Sequence, residues 1–238
     1  MIKISVVIPY FNADKWIGRM LDSLLKQDLS KDEYEIIVVD DGSKDEPVIL
    51  MQYVQNNSNI RYVRQENSGP GAARNSGIEN AKGEFIFFCD SDDFVAEHVL
   101  GKLYNIAHDR ELDMLFHNVP RVSVNETVTN SKRNFDCVDE YPSGQDFFAQ
   151  PIEKFISMGV WQFIISNSFI NRYNLRFPPD MIMNEDACFI IDAILVSNRT
   201  AKIDADVYYY IYNPQSSIHF SGKVLQSDKW TNNILLFI

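Results

Sequence analysis

The sequence predicts an α/β protein: a mainly parallel central sheet flanked by helices. Three observations lead there. Apolar β-branched runs alternate with helix-period segments through the first 120 residues. Three of those runs stop abruptly in polar or carboxylate clusters. The 238 residues, 45% hydrophobic and 23% charged, have the balance of a globular chain with ample material for a core.

The elements follow in order. Lys3–Pro9 is a buried strand with a proline exit, and Asp14 is placed to cap a helix that puts Trp16, Ile17, Met20, Leu21, Leu24 and Leu25 on one face. Glu35–Val39 is a second strand, stopped by Asp40-Asp41-Gly42-Ser43; a weaker helix spans Pro47–Gln55, and Ile60–Arg64 is a third strand. Ser68–Gly71 reads as a turn, Ala72–Ala81 as a small-residue helix ended by Gly83, and Glu84–Cys89 as a strand ending in Asp90-Ser91-Asp92-Asp93. A helix with Val99, Leu103 and Ile106 on one face and a strand at Asp113–His117 complete this half. Val119–Asp146 is polar and irregular, an excursion or a pair of edge strands. Strand Val160–Ser166, short helix Ser168–Tyr173, helix Glu185–Ser197 and strand Asp204–Tyr212 follow, and an apolar helical pattern from Asp228 reaches Ile238. That pattern predicts a docked terminal helix, or a natural chain that extends further. Residues 1–118 and 119–238 are expected to form two halves of one domain.

The net charge of −11 disfavours nucleic acid as a partner. It also opposes any phosphorylated ligand unless carboxylates hold a divalent cation. The cysteines Cys89, Cys137 and Cys188 are scattered and odd in number, which fits a reduced cytoplasm. The start runs straight into a strand without a signal-peptide layout, and no apolar run approaches the roughly 20 residues of a membrane helix.

Four clusters carry chemistry. Asp90-Ser91-Asp92-Asp93 gathers three acids in four residues after an apolar strand, a donor set for a hard cation such as Mg²⁺ or Mn²⁺. As a plain turn it would only cap the next helix; as a metal site, Asp92 is the primary ligand and Asp93 the helix cap. Asp40-Asp41-Gly42-Ser43 can present a carboxylate to a base N–H, or be an ordinary strand-to-helix turn. Gly69-Pro70-Gly71-Ala72-Ala73-Arg74-Asn75 lacks the third glycine of a dinucleotide loop and follows the third strand, so a Rossmann reading is rejected. A helix start there can lie near a phosphate with Arg74 adding charge, or serve close helix–sheet packing. Asn184-Glu185-Asp186 opens an apolar helix, where acids suit the dipole and can also supply a general base.

Together these blocks resemble the family 2 inverting glycosyltransferases of GT-A fold. Ser5–Asn12 resembles the first strand, Val38–Ser43 the base-binding turn, Asn67 with Gly69–Gly77 the third block, Asp90-x-Asp92-Asp93 the metal motif and Glu185-Asp186 the base motif. The resemblance is close over Ile2–Asp93 and looser to Tyr212. It implies donor contacts from Pro9, Tyr10, Phe11, Asp40, Asp41, Asn67, Arg74, Asp90, Ser91 and Asp92, with Asp41 on the base. It implies Mn²⁺ or Mg²⁺ on Asp92 and Asp90, and Asp186, with Glu185, as the catalytic pair. His219 is a further metal candidate and Trp161 an acceptor platform, although a lone His and a buried Trp are commonly structural. The Q-x-x-R-W signature of processive synthases is missing, so single-sugar transfer is expected, from a UDP-sugar by family habit. The acceptor would be a glycan, a lipid-linked precursor or a protein; a lipid-linked one would draw the enzyme to the inner face of the plasma membrane. Two alternatives stand beside this reading. One is a non-catalytic nucleotide-sugar binder of the same fold. The other is a D-x-D phosphatase, disfavoured by Phe94 two positions after Asp92 and by the long stretch before the motif.

Overall fold

The computed structural model describes residues 1–123, 128, 131–149, 159–179, 181 and 183–212. The strands are β1 (Ile4–Tyr10), β2 (Tyr34–Asp41), β3 (Ile60–Gln65), β4 (Phe85–Phe88), β5 (Phe94–Val95), β6 (Met114–Asn118), β7 (Arg121–Ser123), β8 (Arg133–Tyr141), β9 (Phe163–Ser166), β10 (Thr200–Asp206) and β11 (Tyr208–Tyr212). The helices are α1 (Asp14–Leu24), α2 (Val48–Asn56), α3 (Pro70–Asn80), α4 (Leu100–Asp109), α5 (Gly144–Phe148), α6 (Asn167–Arg172) and α7 (Glu185–Val196), and a 3₁₀ turn covers Val160–Gln162.

Strands buried on both faces read as unbroken apolar runs, and β1 and β2 take the inner positions such runs require. Among the described residues the main sheet has the order β3-β2-β1-β4-β9-β6-β10-β8. Pairings β3–β2, β2–β1, β1–β4 and β6–β10 are parallel, while β9 runs antiparallel between β4 and β6, and β8 antiparallel along β10. The sheet is thus mainly parallel, as expected. A small second sheet, β5-β11-β7, stands beside it. Ile4, Val6 and Ile8 of β1 face one core with Ile17, Met20, Leu21 and Leu24 of α1, Leu50 of α2 and Leu100 and Leu103 of α4. Val7 faces the other, with Ile78 of α3, Phe169 of α6 and Phe189 and Ile190 of α7. Gly77 permits α3 to lie directly on β1, because a Cβ there would stand 2.1 Å from Val7 Cγ1.

Several expected boundaries move, each for a physical reason. Asp14 does not cap its own helix; its carboxylate accepts from Ile49 N at 3.0 Å and Leu50 N at 3.1 Å, closing the start of α2, whose own Pro47 offers no side-chain acceptor. Helix α3 starts at Pro70, not Ala72, since proline suits a first helical turn after Gly69 at φ +89°. Asp93 caps no helix: α4 begins at Leu100, sealed by Gln27 Oε1 accepting from Val99 N and Leu100 N and by Asp28 Oδ1 accepting from Gly101 N. The single strand expected at Asp204–Tyr212 is two strands parted at Val207, the first beginning at Thr200. The polar stretch after Val119 includes β7, β8 and the short helix α5. The pattern after Asp228 lies outside the described residues. Among the described residues no helix is long and apolar enough to cross a membrane.

Candidate active site

Parallel register brings the strand ends together. Tyr10 pairs with Asp40 across β1–β2, and Val7 with Phe88 across β1–β4, so the segments following all three strands open at one rim of the sheet.

The first side of that rim is a closed network. Asn12 N donates to Ser43 Oγ at 2.8 Å, and Lys44 N returns a bond to Asn12 Oδ1 at 2.9 Å. Asp40, fully buried, accepts from Ser43 N, from the Tyr62 hydroxyl at 2.6 Å and from Arg64 at 3.0 Å. Burial pushes its pKa up, but these donors outweigh burial and hold it below the ordinary value. Asp41 accepts from Gln65 Nε2 and Ser68 N on one oxygen, and from Gly69 N and Asn67 Nδ2 on the other. With four donors a carboxylate is full, so a base N–H reaching Asp41 would replace one of them. Gly42 makes the turn possible: its φ is +73°, and a Cβ there would lie 2.8 Å from Asn67 N. Tyr10 is buried, while Phe11 is 46% exposed at the strand exit.

The second side centres on Arg74. Gly71 lets α3 approach Phe177 and Glu185, where a Cβ would come within 3.2 and 3.3 Å. One turn on, the Arg74 side chain is only 5% exposed. Its Nη2 is 2.8 Å from Asp90 Oδ1, and its Nη1 is 2.9 Å from Glu185 Oε1 and 2.8 Å from Asp186 Oδ1. The contact with Asp186 is an ion pair whose geometry is not that of a hydrogen bond, leaving Oδ1 without a donor. One guanidinium therefore ties residue 90, after β4, to the start of α7, about 100 positions later in the chain. Arg74, expected beside a phosphate, is engaged by carboxylates, and Glu185 is buried against it.

The Asp186 pKa is raised to about 6, first by burial; Arg74 pulls it down, and the charges of Asp90 and Glu185 push it up. Asp92 is exposed, yet its pKa is also raised to about 6, first by the surrounding protein atoms and then by the charge of Asp90. Asp93 is buried, accepting from the Tyr208 hydroxyl at 2.6 Å and from Ile211 N at 2.7 Å. The Tyr208 hydroxyl, which sequence reasoning did not single out, also accepts from Asp90 N at 2.9 Å. Trp161 is buried with its ring stacked on Tyr208 at 5.4 Å, so that face of the indole is covered. His219 lies outside the described residues.

Asp90 and Asp92 are hard oxygen donors two positions apart on one turn, and the charge of Asp90 acts on Asp92, a pair suited to a cation that completes its shell with phosphate oxygens. Among the described residues no group of three or more His, Cys, Asp or Glu side chains forms a ready-made metal cluster. The fit is therefore to a cation shared with a ligand, with one Asp90 oxygen already on Arg74.

The sequence profile described as Glycosyl transferase family 2 matches residues 5–175. The chain belongs to that family. This family 2 chain is 30% identical over 215 residues to the uncharacterized glycosyltransferase EpsJ of Bacillus subtilis, covering 90% of this chain and 62% of EpsJ. It is 32% identical over 230 residues to the poly(ribitol-phosphate) beta-glucosyltransferase of Bacillus spizizenii, covering 92% of this chain and 33% of that protein. The Staphylococcus aureus TarS 1-349 structure in complex with UDP-GlcNAc superposes with a TM-score of 0.77 at 27% identity, covering 93% of this chain and 61% of that one. The family 2 chain thus spans less than two thirds of each, and the GT-A fold expected from the resemblance is the fold observed.

Proposed function

We propose that this chain is the nucleotide-sugar-binding and catalytic part of an inverting glycosyltransferase. It would move one sugar from a UDP-sugar to a hydroxyl of a surface-polysaccharide acceptor. The observation that carries the reading is the Arg74 junction, which places Asp90, on the donor side, and Asp186, the candidate base, on one guanidinium. The UDP-GlcNAc complex of TarS supports a UDP-sugar donor, and the poly(ribitol-phosphate) transferases support a polyol or glycan hydroxyl as acceptor.

Asp186 takes the proton of the acceptor hydroxyl. The hydroxyl oxygen attacks the anomeric carbon from the face opposite the leaving group. The bond to the diphosphate breaks, its electron pair leaves with UDP, and the configuration inverts. A raised pKa near 6 suits a base that must be free at neutral pH yet still basic. Asp90 and Asp92 would hold Mn²⁺ or Mg²⁺, which when bound supplies charge stabilisation to the departing diphosphate.

Asp186→Asn is expected to lower turnover by roughly 10²–10⁴-fold while calorimetric UDP-sugar affinity stays near wild type. Asp92→Ala is expected to abolish the gain in UDP affinity given by Mn²⁺. A wild-type rate in Asp186→Asn would falsify the base assignment, and an unchanged Mn²⁺ gain in Asp92→Ala would remove the metal role.

A further inference from the structure

The turn that carries Asp90 and Asp92 is held from behind by β11. The Tyr208 hydroxyl makes two bonds at once: it accepts from Asp90 N at 2.9 Å and donates to Asp93 Oδ2 at 2.6 Å. The other Asp93 oxygen accepts from Ile211 N at 2.7 Å, so this carboxylate joins the turn to the strand backbone. Just past the turn, β5 pairs with β11 through Tyr208↔Val95 and Tyr209↔Phe94, and Ala96 N donates to Val207 O at 2.7 Å. The segment is therefore fastened at its start, its middle and its end to a single strand. Tyr208 is fully buried and its ring is fixed by Trp161, stacked at 5.4 Å with planes 3° apart, and by Phe87 edge-on at 6.3 Å. A hydroxyl on a ring so confined cannot follow the turn if the turn moves; it sets where the turn sits.

We propose that Tyr208 is a positioning residue for the carboxylate turn. Its hydroxyl, with Asp93 as the buried counterpart, fixes the spacing at which Asp90 and Asp92 are presented to a cation and the donor diphosphate. The assignment rests on the function proposed above. It gives Asp93 an anchoring role distinct from ligation, and it makes Trp161 the plate that holds the anchor.

Tyr208→Phe removes the hydroxyl and keeps the ring. Tyr34→Phe is the matched control, deleting another buried hydroxyl, which donates to Leu24 O at 2.9 Å at the opposite end of the strands. Two readouts decide. Hydrogen exchange on the ligand-free proteins should show the amides of residues 90–93 exchanging roughly tenfold faster in Tyr208→Phe, and unchanged in Tyr34→Phe. UDP titrated with and without Mn²⁺ should show the Mn²⁺-dependent gain in affinity falling about 10–100-fold in Tyr208→Phe, with metal-free UDP affinity and the control unaltered. Exchange at 90–93 equal to wild type overturns the proposal, as does a wild-type Mn²⁺ gain. A purely structural role would lower the melting temperature of both variants alike and leave the Mn²⁺ gain intact. If the wild-type chain binds no UDP under any condition, the proposed function fails, and the exchange arm still judges the clamp on its own.

Discussion

Replacing Arg74 by glutamine tests the junction that organises this site. The substitution shortens the side chain, leaves one amide in place of the guanidinium, and removes the positive charge that faces Asp90, Glu185 and Asp186 at 2.8–2.9 Å. The side chains of Arg74 and Glu185 are 5% and 8% exposed, and that of Asp186 is 19% exposed, so water replaces little of the lost attraction. Taking one partner from a buried ion cluster costs about 3–5 kcal/mol. The cost should depend on pH. Arg74 lowers the pKa of Asp186, now about 6, so its removal raises that pKa further. A carboxyl whose folded pKa exceeds its unfolded one holds more protons folded than unfolded, and its stability contribution is lost as pH rises through that window. The variant's defect should therefore be smaller at pH 5 than at pH 8. Urea unfolding of both proteins at the two pH values measures this directly. A loss below about 1 kcal/mol at pH 8, or an equal loss at both, would refute the view that Arg74 neutralises a buried carboxylate cluster.

Other perturbations test the remaining parts. The rate at limiting donor and acceptor should climb with unit slope from acid pH and level off near 6, where Asp186 becomes free; a profile flat from pH 5 to 7 excludes it as the base. Gly77→Ala should cost about 1–3 kcal/mol by forcing a methyl against Val7, and Val7→Ala in the same chain should recover part of it; strictly additive losses in thermal unfolding would contradict the contact. Asp14→Ala should cost about 0.5–2 kcal/mol and speed exchange at the Ile49 and Leu50 amides, with Asp14→Asn restoring most of both; exchange confined to the first turn of α1 would show a local cap instead.

The first half of the fold was readable because its central strands are buried on both faces and leave unbroken apolar runs between turn residues. The carboxylate blocks were readable for a related reason: acids directly after such strands stand out. What escaped depends on partners distant in sequence. Nothing local to Asp14 says that its carboxylate belongs to another helix, and nothing local to Arg74 says that residues 185 and 186 will meet it. The strand at Thr200–Asp206 was concealed by Lys202 and Asp204, which alternate with buried Ala201, Ile203 and Ala205. That period-2 alternation was a usable signal. The reversed direction of β9 carried none, because strand direction follows from the path of the preceding chain. Asp93 looked like a helix cap by position, and only the fold reveals that its acceptors serve β11.

The side chains flanking α1 have a consequence for how the protein opens. Asp14, at one end, closes the first turn of α2; Gln27 and Asp28, just beyond the other, close that of α4. An isolated helix of nine or ten residues is too short to pay for its own nucleation. Both therefore borrow their starting turns from the same neighbour. The three helices should fray and re-form as one exchange unit, so that lifting α1 from the sheet unlatches its two companions in the same event.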